Sequence, residues 1–437
     1  MRPIKIVLLI AFFAAVLPGC ASSPPRKLMG AYRFPDGKLI SVRKSEDKTL
    51  RYRVYQTGES SRLYKKRRLR YVSGPGFAAR TPVTLVVDFK TDEQGFATGL
   101  TWRAEDRPVE SADRVVGQEW VTFAGGDAEL FGRLDLPEGP GPHPAVVLVH
   151  GSGKDAATDY FSSCDFFAAN GIAALTFDKR GTGRSGGDYT FDFRGLAEDV
   201  VAAVSLLKRH PEVDASRIGL AGYSQGGWVG PLAASMTDDV AYVIVSYGMI
   251  ESPAEEARLE TREIMRKRGV DEENLKRVDE LTLAGVRVIS NGFREGWDEF
   301  DAVKKKYEDA PWMKQLSGTI LDRLVKYPHW LVRLFGRFES PKHLPWFYDS
   351  SEVLDELSIP MVWILGGKDE SAPNQLTIPK LRAYRAEGKP YELILFPDAA
   401  HGMLEFREEE GVRMYTGYAT DYFRTEVGKA RELSGLD

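Results

Sequence analysis

A serine, a histidine and a pair of carboxylates, each in its own loop, have the types and surroundings that nucleophilic acyl transfer needs. Ser224 stands in Gly222-Tyr223-Ser224-Gln225-Gly226, a G-x-S-x-G followed by Gly227. An apolar strand pattern at Ile218 to Ala221 runs into it and a helix pattern at Gln225 to Ser235 leaves it, the context of a strand-to-helix elbow that presents the hydroxyl. Small neighbours are required because the serine backbone is strained in that turn, and side chains at 222 and 226 would clash across it. A serine hydroxyl is a weak nucleophile at neutral pH. It needs a neutral imidazole to take its proton and a carboxylate to hold the imidazole in the right tautomer. His401 supplies the first, in Pro397-Asp398-Ala399-Ala400-His401-Gly402. Asp369, in Gly366-Gly367-Lys368-Asp369-Glu370, is the candidate for the second, with Glu370 beside it and Asp398 in the histidine's own loop as alternatives. The oxyanion formed on attack needs two donors, and the backbone N–H of Gln225, directly after the nucleophile, can be one.

The other candidates have weaker settings. His150 closes an apolar strand pattern and is expected to shape its loop; His210 ends a helix pattern before Pro211, His329 and His343 fall in the segment at about 251–348, and His143 is placed less well than His401. Cys164 falls in an apolar segment without an adjacent base, as a buried structural thiol does. There is no H-E-x-x-H, no cluster of Cys and His and no dinucleotide glycine fingerprint, so neither a metal nor an organic cofactor is expected. A net charge of -4 offers no general attraction for nucleic acid.

The loops with chemistry lie beyond the ends of strands, where open α/β sheets place their sites. Strand patterns at Ala145 to Val149, Ala173 to Phe177, Ile218 to Ala221, Tyr242 to Ser246, Met361 to Leu365 and Tyr391 to Phe396 alternate with helix patterns at Phe161 to Asn170, Phe193 to Lys208 and Gln225 to Ser235. That alternation predicts a mostly parallel sheet flanked by helices over 115–437. It is interrupted at about 251–348 by charged, helix-patterned sequence with Trp297, Trp312, Trp330 and Trp346, expected to be an inserted helical cap whose tryptophans pack a core. Residues 29–114 instead show short alternating runs between turn signals, the pattern of a small antiparallel β domain. Within it Lys65-Lys66-Arg67-Arg68-Leu69-Arg70 is expected to be a charged, solvated edge strand.

With these motifs the chain from about Val115 onward, the cap excluded, resembles the α/β-hydrolase superfamily. The resemblance rests on H-G-S-G at His150 to Gly153, F-D-K-R-G-T-G-R-S at Phe177 to Ser185, G-Y-S-Q-G-G at the elbow, G-G-K-D, and A-H-G-M at Ala400 to Met403. The order serine, acid, histidine is also the superfamily's. The resemblance implies Asp369 as the acid and the backbone N–H of Ser152 as the second oxyanion donor, with Gly151 and Gly153 letting the loop bend inward. It implies an esterase-like serine hydrolase that cleaves carboxylic esters through an acyl-enzyme. A peptidase or amidase on the same fold and a noncatalytic envelope binding protein are the other two readings.

The first residues form a unit of their own. Arg2 and Lys5, the apolar run Ile6 to Leu17 and a small-residue site make residues 1–19 a signal peptide. Leu17-Pro18-Gly19-Cys20 resembles the lipobox of bacterial lipoproteins. That resemblance implies a lipid on Cys20, a tether at 20–28, and attachment to a membrane of the cell envelope, the outer one given Ala21. With Cys20 acylated only Cys164 remains, so no internal disulfide can form.

Overall fold

The computed structural model describes residues 26–45, 49–336, 343–409 and 412–436. The expected signal peptide, Cys20 and most of the tether lie outside the described residues.

The α/β unit is built on an eight-stranded sheet. Its order is Tyr391–Phe396, Met361–Gly366, Tyr242–Ser246, Val213–Tyr223, His143–Val149, Ala173–Phe177, Ala128–Leu136 and Gly117–Gly125. The first six strands run parallel, and Ala128–Leu136 and Gly117–Gly125 form an antiparallel hairpin at one edge. Central strands covered on both faces read as continuous apolar runs. Val146, Val147 and Leu148 have no exposed surface, and burial of each such side chain contributes about 1.5–3 kcal/mol. Helix Phe193–Lys208 opens with Asp192 accepting from the N–H groups of Arg194 and Gly195, which satisfies two of the donors a helix start leaves unpaired. The expected helix Phe161 to Asn170 is shorter: Ala157–Tyr160 and Ser163–Ala168 are separate turns.

The described residues between Tyr242–Ser246 and Met361–Gly366 include the helices Pro253–Lys267, Glu272–Ser290, Trp297–Lys306 and His329–Gly336 and no strand. Trp297, Trp312 and Trp346 are buried in the cluster these helices share, whereas Trp330 is 66% exposed. Packing therefore accounts for three of the four tryptophans.

Residues Gly30 to Arg114 form a closed antiparallel barrel of eight strands, shut by pairing of Gly30–Arg33 with Glu110–Arg114. In strand Ser60–Arg67, Ser60 to Leu63 pair with Leu50–Val54 and Tyr64 to Arg67 pair with Arg70–Ser73, so the charged end, Lys65 to Arg67, is exposed and paired on one side among the described residues. Strand Leu50–Val54 is buried along its whole length because it has a core on each face. Tyr52 and Val54 point into the barrel, and Arg51 and Arg53 alternate to the outside.

That outer face docks on the α/β unit through buried ions. Arg43 of the barrel donates from Nε to Asp165 Oδ2 at 2.7 Å, and Arg133 donates from Nε to Asp135 Oδ2 at 3.0 Å. Arg43 also lies 3.6 Å from Asp135. A hairpin not evident from the sequence, Leu404–Glu409 with Val412–Tyr418, meets the barrel as well, the N–H of Tyr418 donating to the carbonyl of Gly58 at 2.9 Å.

Candidate functional site

The elbow after strand Val213–Tyr223 holds Ser224 at a φ of +53°, a left-handed conformation that costs a non-glycine residue energy and is kept only where its surroundings enforce it. Here the N–H of Ser224 is anchored on the carbonyl of Ser246 at 3.1 Å, and the N–H of Gly227 donates to the carbonyl of Ser224 at 2.7 Å. A Cβ at 222 would lie 2.3 Å from the carbonyl oxygen of Gly226, and one at 226 would lie 2.2 Å from that of Val149. Both glycines are thus demanded by close backbone approach.

Asp369 and His401 follow the ends of Met361–Gly366 and Tyr391–Phe396, the last two parallel strands on one side of the sheet, and the sheet brings both to Ser224. His401 Nε2 lies 3.1 Å from Ser224 Oγ, and His401 Nδ1 lies 2.9 Å from Asp369 Oδ2. The other oxygen of Asp369 accepts from the N–H groups of Ser371 at 3.0 Å and Ala372 at 2.8 Å, which fixes the carboxylate. Of the two alternatives, Glu370 pairs with Lys267 and Arg413, and Asp398 is exposed. The ring of Tyr247 packs edge-on against the imidazole of His401, centroids 5.1 Å apart.

The loop after His143–Val149 runs beside the nucleophile. A Cβ at Gly151 would come within 3.3 Å of the Cβ of Ser224, a tight approach that the absence of a side chain there relieves. The side chain of Ser152 is exposed, its carbonyl accepts from the hydroxyl of Tyr189, and Gln225 is buried. The N–H groups of Ser152 and Gln225 make no hydrogen bond among the described residues.

Three further residues at this site were not picked out from the sequence. Lys179, inside the F-D-K-R motif, donates to the carbonyl of Gly151 at 2.7 Å and to Oε1 of Gln225 at 3.0 Å; burial lowers its amine to about 7. Its motif was the available signal. Tyr247 and Arg53 carried none, because their positions depend on the sheet and on barrel docking. His150, expected to shape its loop, lines the cavity beside Ser224. Burial and the nearby Lys179 push its imidazole down to about 3, so it stays neutral, and neither ring nitrogen has a partner among the described residues.

Ser224 and His401 open into a cavity of about 380 Å³, at the small end of ligand sites, which span roughly 300–1,000 Å³. Tyr160, Phe161, Tyr223, Tyr247 and Tyr418 give it aromatic walls, and Arg53 enters from the barrel. No cap tryptophan reaches it. On the cap side, helix Pro253–Lys267 brings up Glu256 and Glu260. Burial, Glu260 and Asp369 together raise the Glu256 carboxyl to about 8. Among the described residues no group of three His, Cys, Asp or Glu side chains could hold a metal ion.

Residues 146–413 match the model of the alpha/beta hydrolase family. The chain is similar to thiohydrolase aneE of Aspergillus aculeatus, 27% identical over 310 residues that make up 67% of this chain and 89% of that protein. It is similar to esterase EstD of Thermotoga maritima, 28% identical over 253 residues, 55% of this chain and 50% of the esterase, so it spans about half the esterase's length. A Bacillus subtilis protein named uncharacterized peptidase YtmA is 28% identical over 166 residues, 37% of this chain and 64% of that protein.

Proposed function

The chain belongs to the alpha/beta hydrolase family, and from that premise we propose that it is a serine hydrolase cleaving carboxylic esters through an acyl-enzyme. One observation carries the reading: His401 sits between Ser224 and Asp369 with one ring nitrogen on each. In the proposed cycle Ser224 Oγ attacks the ester carbonyl while Nε2 of His401 takes its proton, and Asp369 holds the opposite N–H and stabilises the imidazolium. The N–H groups of Ser152 and Gln225 receive the oxyanion, a service for which each donor contributes roughly a hundred-fold or more in rate. His401 then protonates the departing alcohol. Water, deprotonated by the same imidazole, releases the acid and restores Ser224.

Relatives named esterase and thiohydrolase favour an ester or thioester carbonyl, and both leaving groups suit this relay. The peptidase-named relative keeps amide cleavage as a second reading, since acyl transfer from an amide uses the same groups. Side-by-side turnover of matched 4-nitrophenyl esters and aminoacyl 4-nitroanilides separates the two. For serine dependence the test is labelling by a fluorophosphonate: a single adduct on Ser224 is expected, and a folded protein that takes no label would overturn the reading. We also propose, on the pattern of residues 1–20, that a lipid on Cys20 tethers the protein to an envelope membrane.

A further inference from the structure

Among the described residues Arg53 is the one wall of the cavity supplied by the barrel, and it is 2% exposed. Its Nε donates to the hydroxyl of Tyr418 at 3.0 Å, and its guanidinium carbon lies 5.6 Å from the ring centroids of both Tyr160 and Tyr418, two more cavity residues. The guanidinium is thereby fixed at the cavity's edge. Its Nη1 is buried and has no hydrogen-bond partner, and no carboxylate lies within ion-pair distance of it, among the described residues. A buried donor left unmade is costly, and more so on a charged group.

The surrounding charges do not neutralise it. Asp165 and Asp135 are already taken up by Arg43 and Arg133. Arg51, its neighbour on the same face, hydrogen-bonds neutral acceptors, Ser60 Oγ at 3.2 Å and the carbonyl of Phe77 at 2.9 Å. Burial, with repulsion from Arg53 beside it, lowers the Arg51 guanidinium to about 10. The site is thus positive on its barrel side, an arrangement that favours an anionic group of the substrate there.

We propose that Arg53 is a specificity-determining residue that receives a carboxylate at the end of the substrate's acyl arm, so that monoesters of small dicarboxylic acids are the preferred substrates. The inference rests on the ester hydrolase reading. A guanidinium matches a carboxylate with two parallel charge-assisted hydrogen bonds, and Nη1 is available for one. The acyl arm is assigned because it stays bonded to Ser224 through the second half of the cycle, which suits an enclosed pocket, while the alcohol must leave. The bonds exchanged are those of the proposed cycle: Ser224 Oγ bonds the acyl carbon as its bond to the alcohol oxygen breaks, and water then yields the dicarboxylate.

The test compares kcat/KM for 4-nitrophenyl hydrogen glutarate with that for 4-nitrophenyl pentanoate, matched in chain length and different in terminal charge. The wild-type ratio is expected to be roughly 10 to 100 in favour of the acid. Arg53→Gln should bring it close to one, and Arg53→Lys should hold an intermediate value. A wild-type ratio at or below one overturns the inference whatever the variants do, as does a preference that Arg53→Gln leaves intact. If Arg53→Gln does not fold, free glutarate should still protect wild-type Ser224 from a fluorophosphonate better than pentanoate does, and equal protection overturns the inference. Turnover of the pentanoate ester without preference for the acid defeats this inference alone. Absence of both turnover and labelling defeats the hydrolase reading and this one with it.

Discussion

Lys179 ties two loops together: one amine donates to the carbonyl of Gly151, the residue before one proposed oxyanion donor, and to the side chain of Gln225, the other. It touches neither the nucleophile nor the base, so its role is to hold those donors where the charge develops. Misplacement of such groups by about 1 Å can cost on the order of a hundred-fold in rate. Lys179→Met is therefore expected to lower kcat for 4-nitrophenyl pentanoate roughly 10- to 100-fold with KM little changed, in a protein of unaltered circular dichroism. A rise in KM at constant kcat would show that Lys179 serves binding instead. At this scale the sequence was informative where covalent geometry dictates the motif. Ser224 needs its flanking glycines, and His401 needed only a loop beyond a strand, whereas Asp369 was separated from Glu370 and Asp398 by the family resemblance alone. Arg53 was illegible, since its value comes from a wall formed by a separate set of strands.

The C-terminal helix Tyr422–Leu433 packs beneath the sheet and carries Glu426 with no exposed surface. Ser163 donates to Glu426 at 3.0 Å, and Ser246 and Tyr422 donate to it at 3.2 Å each. Burial outweighs these bonds and raises the carboxyl to about 6. The folded protein thus holds this proton more tightly than the unfolded chain, whose carboxyl titrates near 4.5. Stability from this group is present below that pH and is lost as pH rises through 6, by about 2 kcal/mol at about 1.4 kcal/mol per pKa unit. Glu426→Gln cannot ionise, so its stability relative to wild type should climb by about that much between pH 4.5 and 7. Urea unfolding across this range checks it, and a constant difference would rule it out. The buried strands Ala173–Phe177 and Tyr242–Ser246 were plain from the sequence, because continuous apolar runs are a local signal; strand Tyr391–Phe396 was legible as well, though at the edge of the sheet only Tyr391 of it is buried. The hairpin Leu404–Tyr418 was not, since most of its residues face solvent and alternate weakly.

Across the whole molecule the barrel and the α/β unit share ions and a cavity wall. Arg43 reaches across to Asp165, and removing one partner of such a buried pair typically costs about 3–5 kcal/mol. That closure and docking were beyond the sequence, which shows strand periodicity but not which edges meet. The tether is a second property at this scale. No helix among the described residues is long and apolar enough to cross a membrane, and the proposed attachment is the lipid on Cys20. Several acyl chains anchor stably where one does not, so Cys20→Ala is expected to move the protein from the membrane fraction to the soluble one. Unchanged fractionation would contradict the anchor. The account as a whole depends on Ser224 becoming a nucleophile because folding sets His401 beside it. The most direct measurement is kcat for 4-nitrophenyl pentanoate in wild type, Ser224→Ala and His401→Ala, each verified as folded. Loss of at least about a thousand-fold in both variants is predicted, and turnover within ten-fold of wild type in either would contradict it.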